Sequence, residues 1–134
     1  MEGNIKNKIL IDTSYWIEFL NNKNSQEFFV VQKILEYNQV YTCDIIITEI
    51  LSGAKNEKEY NYLNFCFSSL EKLEIKQKIW DKLPYYRFLL RKKGFLIAIP
   101  DLLIAILSAE YNIPLLTRDK HFKQIQGIVD FSIF

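Results

Sequence analysis

Four carboxylates lie where the surrounding sequence is strongly apolar. Asp12 directly follows the apolar run 9–11, and Asp101 stands between the apolar stretches 96–100 and 102–104. A buried carboxylate without a partner is costly and tends to neutralise itself by taking up a proton. We therefore regard the acidic residues in such places as candidates for chemistry that uses negative charge: Asp12, Glu49, Asp101 and Asp119.

Taken singly, each acid has a simpler explanation. Asp12, Asp101 and Asp119 are suitable helix caps, and Glu49 falls near the edge of an apolar helix face, from which it could reach solvent. Together they indicate more, because carboxylates that converge on one edge repel one another and a divalent cation relieves that repulsion. Ligands that are all oxygen suit Mg²⁺ or Mn²⁺ and not Zn²⁺. The sequence therefore predicts a Mg²⁺ or Mn²⁺ site with metal-assisted hydrolysis as its chemistry.

Hydroxyl and basic side chains accompany the acids. We expect Thr13, Ser14 and Thr117 to orient the ligands from behind, although hydroxyls near turns are also common as caps. The clearest basic cluster is Arg87, Arg91, Lys92 and Lys93, which is interleaved with aromatic residues. Arg87 and Arg91 are four residues apart and share a helix face, where they would contact the phosphates of a nucleic acid. A solvated helix face explains them equally well.

The elements that position these residues alternate between strand and helix, which predicts a parallel sheet between two helix layers. Ligands of such sheets bind beyond the carboxyl ends of the strands, and Asp12 and Asp119 each follow a predicted strand. We expect Pro84 to kink or divide its helix. The predicted strands are 8–11, 40–43, 72–76, 114–117 and 127–131. The first predicted helix begins at residues 12–14 and carries Tyr15, Trp16 and Phe19. The other predicted helices are 25–37, 45–54, 57–70, 77–93, 101–111 and a short one from 119.

Composition sets the class of protein. The 134 residues are 49% apolar and 15% aromatic, which predicts one folded domain over residues 1–134. The alternation of strands and helices makes that domain a three-layer α/β/α sandwich. A formal charge of +1 gives little general attraction for nucleic acid. Cys43 and Cys66 are too far apart for a zinc or redox motif. Residues 1–8 lack the apolar core of a signal peptide, and no apolar stretch is long enough for a bilayer, so we expect a cytoplasmic protein that does not enter membranes.

Four short motifs resemble, in order, those of PIN domains. They are residues 9–14 (ILIDTS), 48–53 (TEILSG), 94–105 (GFLIAIPDLLIA) and 116–122 (LTRDKHF). Each motif alone is weak, but the four together cover nearly the whole chain. The short form without added domains looks most like the VapC toxins of prokaryotic type II toxin–antitoxin pairs.

This resemblance implies a Mg²⁺- or Mn²⁺-dependent endoribonuclease that cleaves cellular RNA such as tRNA or rRNA. It also implies a homodimer that a cognate VapB-like antitoxin neutralises. In the family, the residues matching Asp12, Glu49 and Asp101 form the metal-binding core, and the one matching Asp119 completes it in many members. Some relatives carry a further acidic residue two places later, where this chain has His121. We expect His121 to be an exposed helix residue, at most in contact with a phosphate.

Three other functions compete with this one. A receiver-like phosphoacceptor domain would have an acidic pair after its first strand, whereas Thr13 and Ser14 follow Asp12 here. A phosphatase with an aspartate nucleophile would need a second Asp two residues after Asp12. A catalytically inactive PIN fold used only for binding is the third alternative, and the retained acidic set argues against it. As the only histidine, His121 cannot supply a two-histidine ribonuclease mechanism.

Overall fold

The computed structural model describes residues 6–134; residues 1–5, most of the polar segment 1–8, lie outside the described part of the chain. Within 6–134 the chain forms four strands and seven helices. The strands are β1 (Lys8–Ile11), β2 (Gln39–Thr42), β3 (Glu71–Lys72) and β4 (Leu115–Leu116). The helices are α1 (Thr13–Asn21), α2 (Gln26–Tyr37), α3 (Asp44–Ser52), α4 (Glu57–Phe67), α5 (Gln77–Lys92), α6 (Ile99–Tyr111) and α7 (His121–Ile125).

The strands form one parallel sheet in the order β3-β2-β1-β4. Leu10 of the central strand β1 aligns with Tyr41 of β2 on one side and with Leu115 of β4 on the other. Ile9, Leu10 and Ile11 have no exposed surface, as expected of a strand whose two faces are both covered by helices. The predicted three-layer α/β/α fold is confirmed.

The helices pack in two groups. Helix α1 packs against both α2 and α3, and α3 packs against α4. Helix α6 packs against both α5 and α7. Helix α6 is buried continuously from Leu102 to Ser108, which agrees with its almost wholly apolar sequence. It begins at Ile99, two residues earlier than predicted, with Pro100 in its first turn, where a missing N–H costs nothing. None of the helices within residues 6–134 combines the length and the apolar character needed to cross a bilayer.

A predicted strand and a predicted division of a helix are both absent from residues 6–134. Residues 127–131 form no strand, because the amides of Gly127, Ile128 and Val129 bond to carbonyls at the end of α7 and continue its turns. The chain pairs with the edge strand β4 only after this segment, where Ile133 forms an isolated parallel bridge with Leu115. Pro84 does not divide α5, which runs as one helix to Lys92 and stops before Gly94, whose φ of 89° suits glycine.

Candidate active site

The carboxyl ends of β1 and β4 bring the first and last motifs together. These strands are neighbours in the sheet, and the Asp12 amide donates to the Leu116 carbonyl at 2.9 Å. Asp12 and Thr117 are the next residues beyond the two strands. Parallel pairing therefore places side chains that are more than 100 positions apart in sequence at one edge of the sheet.

Asp12 is buried, with 4% of its surface exposed. Its Oδ2 accepts hydrogen bonds from Ser14 Oγ at 2.8 Å and from Thr117 Oγ1 at 2.9 Å. Its side chain makes no cap hydrogen bond to α1, although Asp12 occupies the N-cap position. The cap explanation of Asp12 is therefore wrong, and two hydroxyls satisfy one oxygen while Oδ1 makes no hydrogen bond within the described residues.

The segment that carries Asp119 is tied to α1 and α2. The Asp119 amide donates to Thr117 Oγ1 at 3.0 Å, and the Arg118 amide donates to Ser14 Oγ at 3.0 Å. The Arg118 guanidinium pairs with Glu18 at 3.1 Å and with Glu27 at 3.2 Å. These bonds fix the turn after β4, so that the position of Asp119 relative to β1 depends on both backbone and side-chain contacts.

Glu49 lies on α3 and is exposed. Thr13 Oγ1 donates to Glu49 Oε1 at 2.6 Å, which connects the first residue of α1 to the second motif. The expectation that Glu49 could reach solvent is right, but the hydroxyl of Thr13 directs one of its oxygens toward the end of β1. The other oxygen, Oε2, has no hydrogen bond within residues 6–134.

Asp101 lies in the first turn of α6 and is half-buried. Burial, followed by the charges of Asp12, Asp119 and Glu49 in that order, raises the pKa of its carboxyl from 3.8 to about 6, while His121 opposes the rise. The cap explanation of Asp101 is wrong, because Ala98 holds the cap position of α6. The four acids singled out in the sequence therefore act on one another through space.

Asp101 and Asp119 lie near each other, and a histidine lies beside them. A ligand atom of each, with a ring nitrogen of His121, lies within 4.8 Å of the other two. His121 is the exposed first residue of α7, and its Nδ1 is 3.1 Å from Asp119 Oδ1. The same oxygen accepts from the His121 amide at 2.9 Å, so the cap explanation holds in part for Asp119. Asp12 and Glu49 are not members of this group of three side chains.

The basic cluster of α5 does not act as a unit. Arg87 Nε donates to the Ile97 carbonyl at 3.1 Å, in the segment that leads into α6. Arg91, Lys92 and Lys93 are exposed, and the Lys92 ammonium lies 5.5 Å from the centre of the Phe88 ring. Helical periodicity turns Lys92 about 100° away from Arg91. Contact of these side chains with nucleic acid stays a prediction.

The donor set fits a divalent cation. Asp101 and Asp119 each offer an oxygen within 4.8 Å of the other, and the charges of Asp12 and Glu49 also reach Asp101. None of the ion pairs in the described part of the chain includes Asp101. Hard oxygen ligands suit Mg²⁺ and Mn²⁺, and an imidazole nitrogen is accepted by first-row transition metals. The carboxylates that would hold a metal are those of Asp12, Glu49, Asp101 and Asp119.

Known proteins resemble this chain over most of its length. A model of the PIN domain family matches residues 9–128. Ribonuclease VapC11 of Mycobacterium tuberculosis is 30% identical over 128 residues, which are 92% of this chain and 96% of the relative. These matches exclude the receiver-like and phosphatase alternatives.

Solved structures share the fold. VapBC-1 from nontypeable Haemophilus influenzae has a TM-score of 0.78 and 19% identity, covering 95% of this chain and 96% of that chain. VapBC-5 from Mycobacterium tuberculosis, a member of the VapBC family of toxin-antitoxin systems, has a TM-score of 0.68 and 19% identity, covering 95% and 97%. With the family match and the VapC relative, the sheet and its acidic edge show that the chain belongs to the PIN domain family, among the VapC ribonucleases.

Proposed function

We propose that this chain is a toxin of the VapC type, an endoribonuclease that needs Mg²⁺ or Mn²⁺ and cleaves cellular RNA such as tRNA or rRNA. Its active site consists of Asp12, Glu49, Asp101 and Asp119. One observation carries the proposal: half-buried Asp101 is in none of the ion pairs of the described residues and lies within 4.8 Å of a second carboxylate, that of Asp119. In agreement, burial and three neighbouring carboxylates raise its pKa to about 6. A protein gains nothing in stability from such a cluster, so its retention points to a cation that the cluster binds.

Each acid has a role that follows from its surroundings. Asp101 and Asp119 supply two carboxylates whose oxygens lie within 4.8 Å of each other, and Asp12 is held in place by Ser14 and Thr117. A divalent cation in such a site lowers the pKa of water and stabilises charge on a phosphoryl oxygen. Glu49 is exposed and has one oxygen without a hydrogen bond in residues 6–134, which suits it to take the proton of the attacking water.

The RNA would approach over the exposed basic residues of α5. Arg91, Lys92 and Lys93 offset the negative charge of the acidic edge by pairing with phosphates, and each such contact makes binding more sensitive to salt. Arg87 contributes less to this contact than the sequence suggests, because its Nε is engaged by the Ile97 carbonyl.

The partner is a VapB-like antitoxin, as in the VapBC complexes with the same fold. A groove of about 340 Å³ lies between α1, α3 and α4, with Glu49 at its border. Ile17 is 46% exposed, and Tyr62 is 65% exposed along it. Exposed apolar surface of this kind marks protein–protein contacts, so we place the antitoxin here, where it would cover Glu49. We also retain the homodimer that the family resemblance implies.

The test is cleavage of total RNA and separated tRNA by the purified chain, with Mn²⁺ or Mg²⁺ and with EDTA. We expect discrete fragments that disappear with EDTA and with Asp12→Asn. The matched control is Asp130→Asn, which alters an exposed aspartate with no ion pair in the described part of the chain and should cleave normally.

Two outcomes would decide against the proposal. Cleavage that persists in folded Asp12→Asn, or in EDTA, would contradict the metal site. If the folded, metal-loaded chain cleaves none of these RNAs, the result would favour the alternative of a catalytically inactive PIN fold used only for binding.

A further inference from the structure

His121 lies beside the carboxylates of Asp101 and Asp119. Its Nδ1 is 3.1 Å from Asp119 Oδ1, and Asp101 offers an oxygen within 4.8 Å of both side chains. An octahedral ion with ligand distances of about 2.1 Å has neighbouring ligand atoms about 3 Å apart and opposite ones about 4 Å apart. The spacing of the three side chains is therefore close to that of ligands on one ion.

We propose that His121 is a nitrogen ligand of the cation that Asp101 and Asp119 hold, and that it makes the site prefer Mn²⁺ to Mg²⁺. This inference rests on the proposed metal-dependent function. Mg²⁺ binds oxygen almost exclusively, whereas imidazole is a good ligand for first-row transition metals. Replacing an oxygen ligand by an imidazole therefore favours Mn²⁺.

The backbone holds His121 ready for this role. Its amide donates to Asp119 Oδ1 at 2.9 Å, which fixes the turn between the two residues. Phe122 and Ile125 have no exposed surface and anchor α7 in the core. The side chain of His121 is 62% exposed, so its ring can reorient toward an ion by rotation alone, without movement of the helix.

A structural alternative is that His121 only pairs with Asp119 and binds no metal. The alternative and the proposal differ in what a bound Mn²⁺ contacts. Because His121 is the only histidine, chain purified without a histidine tag gives an imidazole signal from this residue alone. Pulsed electron paramagnetic resonance of the Mn²⁺-loaded chain should show coupling to nitrogen, and His121→Asn should lose that coupling.

Affinity gives a second readout. Loss of a group that supports a ligand weakens metal binding by about 10–100-fold, and loss of a ligand should cost at least as much. In calorimetric titrations we expect His121→Asn to weaken Mn²⁺ at least tenfold and Mg²⁺ much less. His121→Asp should keep Mg²⁺ binding and reduce the preference for Mn²⁺. Lys123→Gln, an exposed change on the same helix, should leave both affinities unchanged.

The outcomes separate this inference from the nuclease proposal. Mn²⁺ binding without nitrogen coupling, or an unchanged Mn²⁺ preference in His121→Asn, would overturn the role of His121 even if RNA is cleaved. Nitrogen coupling that His121→Asn removes would establish the ligand even in a chain that cleaves no RNA, and there the nuclease proposal alone would fail. Circular dichroism melts of each variant confirm that the fold is intact.

Discussion

Helix α6 carries an acidic residue near each end, and the two have opposite surroundings. Glu110, in the last turn, pairs with Lys82 and with Lys78; the hydrogen bond from Lys82 is the main cause that lowers the pKa of its carboxyl. Asp101, in the first turn, is half-buried among three other carboxylates, and its pKa rises to about 6. Glu110 is therefore paired with two lysine ammonium groups, whereas Asp101 is in none of the ion pairs of the described residues.

The helix dipole alone would lower the pKa of Asp101 and raise that of Glu110, the reverse of what is found. It favours a carboxylate at the N-terminus and disfavours one at the C-terminus, by about 0.3–1 kcal/mol. The rise in the pKa of Asp101 from 3.8 to about 6 corresponds to at most about 3 kcal/mol before solvent screening. Burial and like charges therefore outweigh the dipole. The charge of Glu110 is balanced by two lysines of this chain. The repulsion between Asp101 and the neighbouring carboxylates would be relieved by an added cation.

The largest expected effect is a difference in RNA cleavage between variants at the two ends of α6. Asp101→Asn should lower RNA cleavage about 10³-fold or more, because metal-assisted stabilisation of the transition state contributes several kcal/mol. Glu110→Gln should change it less than about twofold, since it removes only ion pairs with two lysines of α5. Single-turnover cleavage of one labelled RNA measures both. Equal loss in the two variants would mean that the ends of α6 do not differ in function.

The second prediction concerns the segment that leads into the N-terminal end of α6. Arg87→Met should lower the free energy of unfolding by about 1–2 kcal/mol, because it leaves the Ile97 carbonyl without its charged donor. Arg91→Met, four residues further on the exposed side of α5, should change it by less than about 0.5 kcal/mol. Urea titration gives both values. If the two variants unfold alike, Arg87 is not needed to hold this segment.

The same contrast shows how much the sequence could predict. The strand and helix that flank Asp12 follow from local pattern: an apolar run, then capping residues, then helical periodicity. The rule that ligands lie beyond the carboxyl ends of parallel strands predicted one edge for Asp12 and Asp119, and the family resemblance added Glu49 and Asp101 to the same site. The pKa of Asp101 agrees with that convergence, while the catalytic roles of these acids stay proposals.

What could not be predicted depends on contacts between distant segments. The place of His121 beside Asp101 results from the turn after β4, and its only sequence signal was its position two residues after Asp119. The bond from Arg87 to Ile97 joins two segments across a turn, and the charge pattern of α5 alone suggested a binding role instead. Residues 127–131 alternate like a strand, but their amides are already bonded to α7.

The smallest effect is a difference in pH dependence between the two ends. Because the folded pKa of Asp101 is above its ordinary value of 3.8, its contribution to stability falls as pH rises from about 4 to about 6. The lowered pKa of Glu110 has the opposite sign: its contribution is present above the ordinary pKa of 4.5 and is lost as pH falls below that. In EDTA, Asp101→Asn should therefore match the parent chain near pH 4 and exceed it by about 1 kcal/mol at pH 7, after screening. Urea titrations across this range measure the difference, and a variant that is no more stable at pH 7 would show that the acidic edge costs the fold nothing.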